Sequence, residues 1–316
     1  MIGNRNTLHG AVAAQAASWP KRPAIYDGDV VFAFGALEAA AVNLARVILK
    51  TGAAVSGGEA PIGICGEGYR SVVAILAILK SGNAYVPLDP LYPTEQIQFM
   101  VQETRMKLIL VVHNRLCDPK GVLGGHWFQG DMLLLESIWD SSLACSTATP
   151  TSSSSASSSS EVVSEVVSDV SDGSLAYVIY TSGSSGRARG TGVMGSHAAI
   201  MNRLQWMWLR FPWGPGEVAC QKTSYNFLDS VWETFGALGA LFRRVWEAFR
   251  ALSGAPPAAG GEETFGAIAH SRPRVKHQRA TQCFLAACRK PSGALGARSA
   301  VGKPGSLSAL SRPILS

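Results

Sequence analysis

Short apolar runs alternate with longer amphipathic ones over roughly the first 115 residues. Ala24-Ile25-Tyr26 and Val30-Val31-Phe32-Ala33-Phe34 flank Asp27-Gly28-Asp29, which predicts two strands around a turn. Leu37 to Lys50 predicts a helix, apolar at positions 37, 41, 44, 45 and 48. Pro61 to Cys65 predicts a strand, and Ser71 to Lys80 an apolar helix closed by Gly82. Ala84 to Leu88 is extended before Asp89-Pro90. Thr94 is placed to cap a helix running through Glu103, and Lys107 to Val112 predicts another strand. Strands alternating with helices imply an α/β fold, a sheet flanked by helices.

The pattern lapses between Ser141 and Ser171, where the serine run 151–160 cannot bury enough apolar area to offset its ordering entropy. The acidic segment Glu161 to Asp169 reads as solvated linker or, alternatively, as a partner helix. Regular signals then resume. Leu175 to Ile179 predicts a buried strand, Ser196 to Leu209 a helix crowded by Trp206 and Trp208, Val218 to Thr223 a strand and Phe227 to Leu238 a helix. Beyond residue 240 the chain is rich in Gly, Ala, Pro, Ser and Arg without sustained periodicity. The expected organisation is a first α/β part over 1–140, a Ser-rich insertion over 141–173, a second structured part over 174–240, and a disordered basic tail over 241–316. The basic run Arg272 to Arg279 leaves an address or nucleic-acid patch as the alternative for that tail.

Charge and cysteine usage narrow the function classes. The 316 residues carry a net charge of +6, but twelve Lys/Arg against three Asp/Glu fall after residue 240, leaving the preceding body at −3. A slightly acidic body is no footprint for nucleic acid. The six cysteines show no C-x-x-C spacing, so neither a zinc site nor a disulfide framework is expected, and a reduced, cytoplasmic setting follows. No apolar run is long enough for a membrane span, and no secretory leader is visible.

The candidate chemistry sits directly after the Leu175–Ile179 strand, in Tyr180-Thr181-Ser182-Gly183-Ser184-Ser185-Gly186-Arg187-Ala188-Arg189-Gly190. Glycines let backbone N–H groups turn towards an anion, hydroxyls add donors, and a nearby basic residue adds charge. The string is neither a Walker loop nor a dinucleotide fingerprint. Preceding a plausible helix, it reads as a phosphate cradle.

From Leu175 to Gly190 the sequence closely resembles the phosphate-loop signature of the adenylate-forming enzymes, in particular the adenylation domains of nonribosomal peptide synthetases. Leu79 to Pro93 resembles a second core motif of that family almost residue for residue, and Phe34 to Gly52 a weaker first one. That second motif is expected to shape the domain and is given no catalytic role. The segments Leu204–Trp208, Gln221–Ser224 and Val231–Glu233 continue the likeness, closest in character to the beta-alanine-activating, aminoadipate-semialdehyde-dehydrogenase-like branch.

The resemblance implies ATP with Mg2+ as cofactors. Thr181, Ser182, Ser184 and Ser185 would offer hydroxyls to the phosphates, Gly183 and Gly186 would allow backbone approach, and Arg189 would supply charge. No protein metal ligand is assigned. Ser185 stands where the family usually has threonine, Ala188-Arg189 replace a Pro-Lys pair, and Thr191-Gly192 look like two extra residues that slacken the loop. On the substrate side the resemblance points to Phe227 and Asp229. Aligned on Val-Trp-Glu, the Asp229 carboxylate lies one residue later than usual, which suits the amine of a β-amino acid. It reads equally as a cap on the following helix.

No adenine- or ribose-binding segment and no carrier domain is expected after residue 240, and the catalytic lysine of the small C-terminal domain has no counterpart, so no catalytic residue is assigned. The implied fold is the N-terminal large-domain part of an adenylate-forming enzyme, layered sheets flanked by helices and truncated before the small domain. Its implied function is ATP-dependent activation of a carboxylic or amino acid as an acyl-adenylate for transfer to a thiol, borne by a phosphopantetheine carrier in full-length relatives. The alternatives are a catalytically inactive nucleotide-binding or regulatory fragment, and a nonfunctional truncated gene product with an out-of-frame tail.

Overall fold

The computed structural model describes residues 6–53, 59–113, 127–139, 170–181, 190–211, 213, 218–240 and the backbone of 267–270. All fall within one compact unit, Met1–Arg272. The element order is α1 (Leu8–Ser18), β1 (Pro23–Asp27), β2 (Val30–Ala33), α2 (Phe34–Lys50), β3 (Pro61–Cys65), α3 (Tyr69–Lys80), β4 (Ala84–Pro87), α4 (Thr94–Thr104) and β5 (Leu108–Val111). It continues with β6 (Asp131–Leu134), α5 (Leu135–Ile138), β7 (Leu175–Thr181), β8 (Thr191–Ser196), α6 (His197–Arg210), β9 (Val218–Gln221), α7 (Asp229–Leu238) and β10 (Ala267–His270).

The strands form two sheets, ordered β6-β5-β3-β4-β7-β8 and β2-β1-β10-β9. In the larger sheet every pairing is parallel except the β7–β8 hairpin. Both of its faces are covered, so its central strands are apolar throughout rather than alternating. The side chains still divide by the period of two. Ile62, Ile64, Tyr85, Leu108, Leu110, Tyr177 and Ile179 join the main core. Val86, Ile109, Val111, Val178 and Tyr180 point the other way, where Ile97, Met100 and Val101 of α4 cover them.

α3 is buried at every position from Ser71 to Lys80. A helix apolar on all sides needs neighbours on all sides. It finds them in β3 and β4 of one sheet, β1 of the other, and α2 alongside. Lys80 ends this helix 1 % exposed, with its ammonium 2.6 Å from Oε1 of Glu38 on α2. α7 packs on β9, β10 and α6, where the buried Trp208 indole donates to the Gly236 carbonyl at 2.7 Å. Among the described residues no helix is long and apolar enough to cross a membrane.

Four local readings of the sequence change. α2 begins at Phe34, which the apolar run places in the preceding strand. Thr94 is the first residue of α4, with Pro93 at the cap position, and makes no capping hydrogen bond. α1 and the β6–α5 segment carry no strong periodic signal. α1 is Ala-rich and buried almost all round, and β6 is a half-exposed edge strand. Finally, β10 pairs in parallel with both β1 and β9, although no strand is expected beyond residue 240; Ala-Ile-Ala-His is too short a run to stand out among Gly and Ala. The rest of the tail, and residues 140–169 of the Ser-rich insertion, lie outside the described residues.

Two histidines join the start of α1 to the start of α6. The rings of His9 and His197 meet edge to face at 5.3 Å, both are nearly fully buried, and the Leu8 amide donates to His197 Nδ1 at 3.2 Å. Burial lowers the His197 pKa to about 4; burial, with Lys80 and His197 nearby, holds His9 well below 6.5. As pH falls, the unfolded chain takes up these protons first, so their penalty is absent above about 6.5 and grows towards pH 4, by up to about 1.4 kcal/mol per pH unit for each histidine. Urea unfolding at pH 7.5 and pH 5 is expected to show a lower midpoint at pH 5. The double variant His9→Gln/His197→Asn is expected to flatten that dependence.

Candidate functional site

The parallel strands β3, β4, β5 and β7 all end on one edge of the sheet. In open α/β sheets ligands bind outside the carboxyl ends of the strands, where the connections part to opposite faces. Here the parting lies between β3 and β4. The chain leaves β3 into α3 on the inner face, and leaves β4 into α4 on the outer face.

β7 lies on the far side of β4, with Tyr177 in register with Tyr85. Its last residue, Thr181, is exposed and pairs with Thr191 of β8. Ser182, Gly183, Ser184, Ser185, Gly186 and Arg189 lie outside the described residues. What the structure defines is the base that carries them. Gly190 has φ of +77°, and a Cβ there would stand 2.7 Å from the Thr181 carbonyl oxygen, so glycine is required where the chain re-enters the sheet. Below it, Gly195 lies against the Tyr177 ring with no room for a Cβ.

Two sequence readings are corrected at this base. The segment is followed by the antiparallel strand β8 rather than directly by a helix, and α6 begins only after β8 has returned to the level of Leu175. The start of α6 therefore does not lie at the β7 end, where a helix N-terminus could meet an anion. Thr191 and Gly192, which read as slack in the loop, are paired with Thr181 and Tyr180 inside the hairpin. Glycines in β8 weaken its strand signal, which is why the sequence does not announce it. The adjoining Tyr180 hydroxyl donates to Glu103 of α4 at 2.7 Å; burial and that carboxylate push its pKa upward, so it stays a neutral donor.

The second candidate segment runs from β9 into α7. Glu233, 4 % exposed, turns back from α7 and accepts three hydrogen bonds from the turn before it. Oε2 takes the amides of Lys222 and Thr223 at 3.1 and 2.9 Å, and Oε1 takes the Thr223 hydroxyl at 2.7 Å. Asn226 is also buried and donates through Nδ2 to Asp89 Oδ2 at 3.0 Å, bridging 137 residues of chain. Tyr225 is buried beside it. Burial raises its phenol pKa, and the carboxylates of Glu67, Asp27 and Glu233 add to the shift, so this residue too is uncharged.

Phe227 and Asp229 are both exposed. Asp229 is the first residue of α7 and Leu228 occupies the cap position, where no side-chain cap forms. Its Oδ1 instead accepts the Trp232 indole N–H at 2.9 Å, which leaves the carboxylate oriented at the solvent-facing end of the helix. Asn226 and Glu233 are not among the residues that the sequence marks for the site, although Glu233 lies in a segment that resembles the family.

Comparisons with known proteins agree with this layout. Residues 12–251 match the model of the family described as AMP-binding enzyme. Phosphinothricin tripeptide synthetase PhsB of Streptomyces viridochromogenes is 30% identical over 235 residues, which is 74% of this chain and 18% of that protein. Tyrocidine synthase 3 of Brevibacillus parabrevis is 33% identical over 229 residues, 72% of this chain and 3% of that protein. The chain thus spans less than a fifth of the length of either relative. Among solved structures, the nonribosomal peptide synthetase FmoA3 superposes with a TM-score of 0.60 at 18% identity, covering 86% of this chain and 23% of that one. IdnL7 gives 0.58 at 20% identity, covering 85% and 46%. These two likenesses establish the fold, a mixed α/β arrangement of the adenylation-domain kind.

Replacing Glu233 by Gln puts an NH2 group where one carboxylate oxygen accepts, leaving buried amides short of a partner. The expected loss is about 2 kcal/mol of folding stability, read as a lower urea midpoint with unchanged slope. Thr223→Val, which deletes only the hydroxyl arm, is expected to lose about half as much.

Proposed function

The chain belongs to the AMP-binding enzyme family, and from that premise we propose that it activates a carboxylic or amino acid as an acyl-adenylate. In this reaction a carboxylate oxygen attacks the α-phosphorus of ATP, the bond to the β-phosphate bridge breaks, and pyrophosphate leaves. Charge develops on phosphate oxygens, so the protein's work is positioning and charge stabilisation. The observation that carries this reading is the convergence at one sheet edge. The Thr181/Thr191 hairpin base opens there beside the end of β4, and Asn226 ties the segment leading to Asp229 to that same strand end.

In this reading the Ser and Thr hydroxyls of Thr181, Ser182, Ser184 and Ser185, with the backbone at Gly183 and Gly186, bind the β- and γ-phosphates, and Arg189 adds charge. Its guanidinium grips phosphate with a different geometry from the lysine usual in the family. Hydroxyls, glycine backbone amides and a guanidinium are donors suited to the phosphates of a nucleoside triphosphate. Among the described residues no cluster of three or more His, Cys, Asp or Glu forms a metal cage. Mg2+ needs none, since it binds through substrate phosphates and water with few protein carboxylates, and there it would neutralise the same oxygens.

On the acid side, Asp229 receives the ammonium group of an amino substrate, oriented by the Trp232 indole, with Phe227 beside it. Its one-residue offset from the common pattern suits an amine set further from the carboxyl group, as in a β-amino acid. Transfer to a carrier-borne thiol belongs to the same proposal, as does a cytoplasmic setting.

ATP–pyrophosphate exchange measured with a panel of carboxylic and amino acids, β-alanine included, tests the reading directly. Exchange with at least one acid is expected; nucleotide binding without exchange for any acid would replace the enzyme by a nucleotide-binding module. Asp229→Ala is expected to raise the KM of an amino substrate about tenfold or more while leaving the ATP KM nearly unchanged. An unaltered amino-acid KM removes the ammonium role. Gly190→Val, which crowds the Thr181 carbonyl, is expected to act in the opposite sense and raise the ATP KM.

A further inference from the structure

The crevice between the ends of β3 and β4, where the connections part to opposite faces, is filled by the protein itself. Gly66, Glu67, Leu88 and Asp89 line it from the sheet, and Ser224, Tyr225 and Asn226 enter it from the loop before α7. Only about 20 Å3 remains, room for one water molecule and far too little for an acid or a nucleotide. A crevice that takes ligands in other open sheets here takes a piece of chain.

A polar bond joins the two sides of the plug. Asp89 has both oxygens engaged: Oδ1 accepts the Leu91 amide at 2.9 Å and Oδ2 accepts Asn226 Nδ2 at 3.0 Å. Asn226 Nδ2 reaches Ser224 Oγ at 3.1 Å as well, so the same amide closes the turn of its own loop. Three residues after Asn226 comes Asp229, and two positions along the sheet edge from β3 comes β7 with its hairpin. The family-like motif around Asp89 is thus bonded to the segment that leads to Asp229.

We propose that Asp89 is a positioning residue for the acid substrate. Through Asn226 it docks Ser224–Asn226 into the β3/β4 crevice and so fixes the Asp229 end of α7 relative to the Thr181/Thr191 hairpin base at the end of β7. Neither Asp89 nor Asn226 touches substrate. The inference rests on the adenylation reading above and adds to it which residues set the spacing between the acid and the phosphates. A bond between a carboxylate and an amide has the strength and direction for this task, because charge-assisted hydrogen bonds are about twice as strong as neutral ones.

Two measurements on the full chain test it. The first is hydrogen exchange of the backbone, peptide by peptide. Asn226→Ala is expected to speed exchange in the segment 224–230 at least tenfold while peptides from β3 and β5 keep their rates. The second is steady-state pyrophosphate exchange, where the same variant is expected to raise the KM of the acid about tenfold, with the ATP KM within twofold of the unaltered chain. N226D, which sets two carboxylates against each other, is expected to do at least as much. D89N combined with N226D returns the bond with donor and acceptor reversed and is expected to restore both readouts, which a mere loss of folding would not allow. Unchanged exchange in 224–230, or a loosened segment with an unchanged acid KM, overturns the proposal. If the unaltered chain exchanges pyrophosphate with no acid, the adenylation reading falls, and the role of Asp89 in aligning an acid falls with it. The hydrogen-exchange result then decides only whether the docking bond exists.

Discussion

Everything at the candidate site follows from a parallel sheet whose central strands are buried on both faces. Strands that run the same way must end on the same side, and their connections must cross back over one face or the other. α3 takes the inner face and α4 the outer, so the chain parts between β3 and β4 and leaves a gap at their ends. The aliphatic content of the strands settles the sheet, the sheet settles the gap, and the gap settles where Tyr225 and Asn226 go to ground. Polar groups then do the fine alignment. Asp89 and Glu233, each a carboxylate with at least two hydrogen bonds, hold the two ends of the turn that leads into α7.

Much of the fold is legible in the sequence, the amphipathic helices α4 and α6 to within one residue of their bounds and the fully buried elements almost as closely. β3, β4, β5, β7 and α3 are read at or within two residues of their bounds because an uninterrupted apolar run of strand length, or one of helix length, leaves few options. α1, β6 and β10 escape for opposite reasons. α1 is apolar and buried almost all round, so it shows no stripe of helical period, and Gln15 is buried with its amide donating to the Ala240 carbonyl. β6 is an edge strand with two exposed residues, and β10 gains its place through neighbours far away in sequence.

The site divides along the same line. Family-like residues mark the candidate site, and the strand before the candidate phosphate segment is evident from Leu175 to Ile179. The sense of the following strand is not, because Thr191-Gly192-Val193-Met194-Gly195 offers glycine where a strand signal needs branched side chains. Asp229 reads from the sequence equally as a substrate contact and as a cap; the structure gives it an indole partner, a choice that no spacing rule anticipates. Asn226 is invisible for a simpler reason. A lone buried amide shows its purpose only beside its partner, and that partner is 137 residues away.

The hairpin at the end of β7 has a consequence for how this protein can change. Thr181 and Thr191 face each other across the ladder, so the nine residues between them leave the sheet and return to it at a single rung. A loop that closes on one rung can gain or lose residues without moving any strand, since doubling its length costs only about 0.6 kcal/mol in closure entropy. The frame below it is rigid, with Gly195 against Tyr177 and Tyr180 bonded to Glu103. The end of β7 is in this sense a socket: residues added or removed between Thr181 and Gly190 leave the rung that closes the segment, and the strands below it, where they are.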